Sequence, residues 1–344
     1  MKVKIIDVED SVGTVLSHDL TLIDPTNGYK GARFKKGHIV AQDEVELLKR
    51  MGREHLSILE LDGDEVHEDD AALRVAALLT GPFFSIIGPS EGKCGLVTKQ
   101  SGLLLFDEEV IHKINANVNW VFATLPNKIP VEKGEVAAAW RVGPLVVKED
   151  DVRHAENLLR SLANPFELLP FRPLPTALVT TGREIWEGRV KDAFVDKLKK
   201  KLALYGAPLI GHDVAPDDKE MIRRRIEAHI NNGAEVVLCS GGMSVDADDM
   251  TPAAIQDVAT EVTFRGTPAL PGSNLMFAQK GSVFLLGVPA CAVHADITVL
   301  DTVMHRIYAG LPPTGEEARR WGVGGLCRGC GTCNYPTCSF GCRD

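Results

Sequence analysis

The chain has 344 residues, 44% of them hydrophobic and 25% charged, with a formal net charge of -9. That length accommodates two or three domains with ordinary globular cores. The acidic balance excludes bulk nucleic-acid binding, which needs a basic surface, but leaves room for a small phosphorylated ligand at a local site.

No uninterrupted apolar run approaches the ~20 residues needed to cross a bilayer. The N-terminus reaches Asp7, Glu9 and Asp10 too soon to build the apolar centre of a signal peptide. The expectation is a cytoplasmic protein with no membrane and no nucleic-acid partner.

Residues 1–64 read as an N-terminal accessory segment. Strand and turn cover 12–21, and 28–38 is a basic, glycine-punctuated loop or hairpin. A short helix over 42–51 carries Val45, Leu47, Leu48 and Met51, and a strand follows at 55–61. Residues 65–165 read as an α+β accessory domain. Helices are expected over 71–79, 107–116 and 150–162, a strand over 83–87, and extended or irregular chain over 134–147. The second block carries no spacing that defines chemistry; in the first, Lys30, Arg33, Lys35 and Lys36 read as a solvated loop or as a patch that steers an anionic ligand.

Residues 166–311 alternate regularly after a proline-rich entry at 170–175. A strand at 176–180 leads to a helix over 188–204 with Val190, Phe194, Leu198 and Leu202 on one face. A strand at 208–214 leads to a helix over 218–230 that aligns Ile222, Ile226 and Ile230. The apolar run Val236, Val237, Leu238 then enters the turn Ser240-Gly241-Gly242-Met243-Ser244. The acids Asp246, Asp248 and Asp249 follow, and Thr251-Pro252 opens a helix with proline where a first-turn N–H would be unpaired anyway. A short strand at 262–264, a strand at 282–288 and a helix over 291–308 complete the pattern. Its strand–helix alternation predicts an α/β fold with a parallel sheet covered by helices on both faces. His294 and His305, on the last helix, read as packing or surface histidines.

In such sheets ligands sit beyond the C-terminal strand ends. Four loops should converge there. One holds Thr181, Gly182 and Glu184, with Asp192 soon after. The second is the turn with Ser240, Gly241, Gly242 and Ser244, followed by Asp249 and Thr251. The third holds Pro271, Gly272 and Ser273, and the fourth holds Pro289. Small residues let a phosphate approach the backbone. Glu184, Asp192, Asp248 and Asp249 would hold magnesium or orient a substrate hydroxyl. The alternative for Asp192 is an exposed first-turn acid, and for Asp248 a charge favouring the helix start near Thr251.

Ser240-Gly-Gly-Met-Ser244 with Asp249 and Thr251-Pro252 resembles the signature of the molybdopterin-binding domain shared by MoeA, MogA and gephyrin proteins. Thr181-Gly-x-Glu184, Asp192 and Pro271-Gly272-Ser273 fall in the same order. The resemblance covers 170–310, and the preceding residues look more loosely like the accessory domains of MoeA-like proteins. It implies a three-layer α/β domain and a homodimer. It also implies Gly241, Gly242 and Ser244 on the pterin or its phosphate, Asp249 as the key acid near magnesium, and Glu184 and Asp192 lining the pocket. MogA-type members adenylylate molybdopterin; MoeA-type members use the adenylylated pterin and insert molybdate. Three positions differ from the MoeA pattern: Arg183 replaces an acid, Asp246 a glycine, and Gly287-Val-Pro-Ala-Cys-Ala292 stands for Gly-Leu-Pro-Gly-Asn-Pro.

The eight cysteines are unevenly placed. Cys94, Cys239 and Cys291 lie in apolar surroundings and read as buried reduced thiols. The rest form C-x2-C-x2-C-x4-C-x3-C at Cys327, Cys330, Cys333, Cys338 and Cys342, within a tail spanning 312–344. Four thiolates could hold zinc or an iron–sulfur cluster, and spacing does not separate the two. The plain alternative is a flexible thiol-rich tail.

The sequence thus points to a protein of molybdenum-cofactor synthesis, molybdotransferase-like or adenylyltransferase-like. It would bind molybdopterin or its AMP ester with magnesium and act on molybdate. The alternative is a non-catalytic carrier or a metal or redox sensor that uses its tail and docks a molybdoenzyme.

Overall fold

The computed structural model describes residues 2–24, 28–90, 92–243 and 249–341. The chain forms two compact units. The first comprises 1–99, 106–125 and 134–166; the second comprises 100–105, 126–133 and 167–344. Among the described residues no helix is long and apolar enough to cross a membrane.

The first unit begins with a three-stranded antiparallel sheet in which His55–Glu60 lies between Lys2–Asp7 and Val15–Leu16. Its core holds Val8, Leu16, Leu20, Phe34, Val40, Leu48, Leu56 and Ile58. A four-stranded antiparallel sheet follows, in the order Trp120–Thr124, Val136–Val142, Lys93–Thr98, Phe84–Ser90. The stretch expected to be extended or irregular therefore holds a central strand. Helix Glu68–Leu79 packs on this sheet, and the buried Trp140 indole donates to the Ala72 carbonyl at 3.0 Å. Arg74 joins that helix to Glu149–Arg160 through Glu149 at 2.7 Å and Glu156 at 2.8 Å.

The second unit is built on a six-stranded sheet. Its order is Leu209–Ala215, Thr176–Thr181, Val236–Ser240, Val283–Val288, Met276–Lys280, Glu261–Arg265. The first four strands are parallel and the last two antiparallel. The expected parallel sheet thus acquires an antiparallel edge.

Side chains alternate across strands, so the sheet has two apolar faces. Leu178, Leu238 and Leu286 face helices Phe194–Ala203 and Val299–Tyr308. Ala177, Val179, Val237 and Leu285 face helices Lys219–Asn231 and Thr251–Val258. The result is three layers, helix on sheet on helix.

Two expected helices are shorter. The Asp192 carboxylate accepts from the Phe194 N–H at 2.7 Å, so the helix begins at Phe194 after a separate turn, Arg183–Trp186. The last helix divides into Cys291–His294 and Val299–Tyr308. Thr298 and Asp301 form a capping box there, which starts a new helix and ends continuity with the old one.

Candidate functional site

The strand order reverses direction between Thr176–Thr181 and Val236–Ser240, because their crossovers leave to opposite sides. Such a reversal opens a crevice beyond the carboxyl ends of the two strands, the usual ligand position in an open α/β sheet. One of these strands ends at Thr181 and is followed by Gly182; the other ends at Ser240 and is followed by Gly241 and Gly242.

The glycines are required by close approach. A Cβ on Gly241 would run into the Thr181 carbonyl oxygen, and its φ of +93° disfavours any side chain. A Cβ on Gly242, at φ +54°, would lie 2.8 Å from Thr251 Oγ1 and 3.2 Å from Thr181 Oγ1. Met243 is buried and anchors the turn. Its thioether lies so close to Gly287 that a Cβ there would meet Sδ at 2.7 Å.

The residues singled out in the sequence fall in three places. Gly242, Asp249, Pro271, Gly272, Ser273 and Pro289 line one groove of about 440 Å³, together with Met243, Leu270, Asn274, Ala290 and Cys291. Thr181 and Thr251 lie buried under the glycine turn, hydroxyl to hydroxyl at 3.0 Å, and Thr181 Oγ1 also donates to the Ser240 carbonyl at 3.3 Å.

Ser240 and Asp192 sit on the other face of the sheet. Asp192 Oδ2 accepts from Thr180 Oγ1 at 2.6 Å and lies 3.0 Å from His212 Nε2, while Ser240 Oγ donates to Thr180 Oγ1 at 3.4 Å. These two residues position the strand ends and do not line the groove. Glu184 is exposed, its carboxylate folded over Gly182, where a Cβ would meet Oε1 at 3.0 Å. Ser244, Asp246 and Asp248 lie outside the described residues.

Sequence reasoning missed Asp217, which accepts from the Arg183 N–H at 3.1 Å and whose Oδ1 lies 3.6 Å from a Cβ built on Gly242. It follows Ala215, the last residue of a parallel strand, so the strand-end rule was the signal that could have found it. His212 carries no such signal, while Asn274 closes the third of the loops expected to converge. Cys291, on the groove wall, has its thiol pKa raised by burial. Cys239, fully buried in its strand, is pushed up to about 12 by burial alone.

The tail thiols of Cys327, Cys330, Cys333 and Cys338 line a separate cavity of about 330 Å³. Among the described residues no three His, Cys, Asp or Glu side chains converge closely enough to hold a metal ion. Cys342 lies outside the described residues.

Fold and groove define an α/β protein with a groove of about 440 Å³ lined by loops at its strand ends. Residues 177–308 match the family model described as "Probable molybdopterin binding domain", and this part of the chain carries that domain. Residues 5–60 match a domain of unknown function. The chain is 24% identical over 165 residues to a molybdopterin molybdenumtransferase of Synechococcus elongatus, covering 45% of this chain and 41% of that protein. It is 25% identical over 177 residues to a molybdopterin molybdenumtransferase of Haemophilus influenzae, covering 47% and 43%. The chain thus spans less than half the length of these curated relatives. A molybdopterin biosynthesis enzyme MoaB of Thermus thermophilus superimposes over 40% of this chain and 98% of its own, with 19% identity and a TM-score of 0.34.

Proposed function

We propose that the α/β unit binds molybdopterin or its AMP ester through the phosphate, with magnesium on Asp249, and acts in inserting or transferring molybdenum from molybdate. The observation that carries this reading is the groove itself. Gly242, with no room for a Cβ, lines it near the reversal of strand order, together with Asp249 and the 271–273 loop. Backbone N–H groups at the glycine turn and at the start of helix Thr251–Val258 can face an anion.

Asp249, Asp217 and Glu184 surround this turn with negative charge. A phosphate is stable among them only with a hard cation between, and carboxylate oxygen is the donor such a cation takes. Magnesium would neutralise phosphate charge; the chain itself orients the ester and screens it from water. Phosphoryl chemistry asks little more of a protein than that positioning. A homodimer and a molybdoenzyme recipient go with this reading.

The test supplies purified protein with adenylylated molybdopterin, magnesium and molybdate and measures released AMP. Turnover that disappears in Asp249→Ala supports insertion. Tight pterin binding with no AMP release would sink the enzymatic reading and leave the second one, a non-catalytic pterin carrier or sensor. Ala290 and Cys291 favour that second reading, since they line the groove where MoeA-like proteins have glycine and asparagine.

A further inference from the structure

The chain after Arg320 forms no helix or strand among the described residues, yet it is docked at definite points. Phe340 is 3% exposed, and Tyr335 stacks on His305 with ring centroids 5.6 Å apart and planes 7° from parallel. Between these anchors and Leu326 the thiols of Cys327, Cys330, Cys333 and Cys338 line one cavity. Cys330 and Cys333 are exposed, so a metal can reach them. A short, glycine-rich, irregular segment with this many thiols lacks the apolar surface to fix its own shape, and thiolate ligation is a common way to supply what is missing.

This segment is also stitched to the groove. The Leu270 N–H donates to the Gly325 carbonyl at 2.7 Å, and the Cys327 N–H donates to the Leu270 carbonyl at 2.8 Å. Leu270 lines the groove, and Pro271 lines both groove and thiol cavity. A second link runs through the four-residue helix Cys291–His294: Cys291 is on the groove wall and His294 borders the thiol cavity.

We infer that the tail is a thiolate metal site, drawn on Cys327, Cys330, Cys333 and Cys338, whose occupancy fixes the 270–274 wall of the groove. The ligand is a thiophilic metal, bound as zinc or as an iron–sulfur cluster. The four thiols share a cavity without converging, so binding tightens the loop around the metal. It transmits that tightening through the two backbone bonds at Leu270. The inference about the groove rests on the pterin reading; the metal site does not.

The experiment uses the full chain, purified without oxygen and stripped of metal. One arm adds zinc alone, another adds ferrous iron and sulfide. Metal content, visible absorption and amide hydrogen exchange are read in each. One arm is expected to load stoichiometrically and to slow exchange several-fold at Leu270 and at 272–275. The paired variant Cys330→Ser with Cys333→Ser should lose the metal and that protection, while its far-ultraviolet circular dichroism stays that of the parent.

Uptake of neither metal overturns the site, as does a thiol titre showing disulfides in anaerobically purified protein. Loading without any change in exchange overturns the link to the groove. Molybdopterin affinity is measured last. A loaded protein with a protected loop that does not bind pterin refutes the pterin reading and leaves the metal site standing.

Discussion

The hydroxyls of Thr181 and Thr251 meet at 3.0 Å beneath the glycine turn. One residue ends a central strand and the other opens the helix after the turn, so the bond ties both sides of the candidate phosphate cradle together. Both side chains are buried, and a buried hydroxyl pair of this kind contributes on the order of 1 kcal/mol while fixing geometry.

The turn above that pair should not tolerate a methyl group. Gly241→Ala places Cβ against the Thr181 carbonyl at a positive φ, and a cost of roughly 2–4 kcal/mol is expected from clash and strain together. Molybdopterin affinity should fall at least about tenfold, since 1.4 kcal/mol of lost contact suffices for that. Gly188→Ala is the control: its φ is +71° but nothing lies within 4 Å, so about 1 kcal/mol of stability and no affinity should be lost. Urea denaturation and calorimetric titration read both quantities.

Asp192 should behave as a positioning residue. Its carboxylate accepts from the Phe194 N–H, holds Thr180 Oγ1 and faces His212. Asp192→Asn keeps the shape but exchanges one acceptor oxygen for a donor, so a loss of about 1–3 kcal/mol is expected. Pterin affinity should change less than threefold, within about 0.7 kcal/mol. A large affinity loss at unchanged stability would instead put Asp192 in the groove.

Acid should weaken the second unit through Glu317. Burial by itself would raise this carboxyl, but the Thr314 backbone N–H, Arg306 and Lys128 outweigh it and hold the pKa at about 2. Arg306 is almost fully buried and lies 3.0 Å from Glu317. A depressed folded value means that the stabilisation is complete above the ordinary carboxyl value of 4.5 and is lost as pH falls through about 2. Denaturant titrations across that window should show a shallower pH dependence in Glu317→Gln.

His305 acts earlier in the titration. Its ring is buried with Nδ1 2.9 Å from the Tyr205 hydroxyl and Nε2 unpaired, and burial, helped by the Lys201 charge, lowers the pKa to about 3. The unfolded chain takes up this proton near 6.5 and the folded chain only near 3. Stability therefore falls as pH drops from about 6.5 towards 3. His305→Phe keeps an aromatic ring for Tyr335 to stack on and should flatten the curve between 6.5 and 4.5, before Glu317 titrates.

The parallel frame was legible because its signals are local. An apolar run followed by two glycines marked Val236–Ser240 and its turn, and isoleucines at helical spacing marked Lys219–Asn231. The Met276–Lys280 strand is bracketed by turn residues, Pro271-Gly272-Ser273-Asn274 before it and Gly281 after it, but its five residues show no alternation of apolar and polar side chains. What makes it a strand is antiparallel pairing with Val283–Val288. In the first unit, Val136–Val142 was read only as extended or irregular chain for the same reason, its partner Lys93–Thr98 being distant in sequence.

The break at 295–298 was legible but overlooked, since Thr298-Val-Leu-Asp301 is a capping box written in the sequence. Within the site, the small residues could be listed from sequence. Their division between the two faces of the sheet could not, because that depends on strand register. Thr181 is turned towards Thr251, while Ser240 is turned towards Thr180 and Asp192.

The 270–274 wall of the groove lies within the connection between the edge strand Glu261–Arg265 and its antiparallel neighbour Met276–Lys280. Within it Gly272, at φ +115°, packs so closely that a Cβ would meet Val299 Cγ1 at 2.7 Å, and Leu270 is bonded to Gly325 and Cys327, so this wall is held in place by its neighbours. The opposite wall is set by the crowded Thr181, Gly241 and Thr251 contacts. On the proposed pterin reading, both walls are therefore shaped by packing before a ligand arrives, and discrimination among pterin derivatives is a matter of rigid fit.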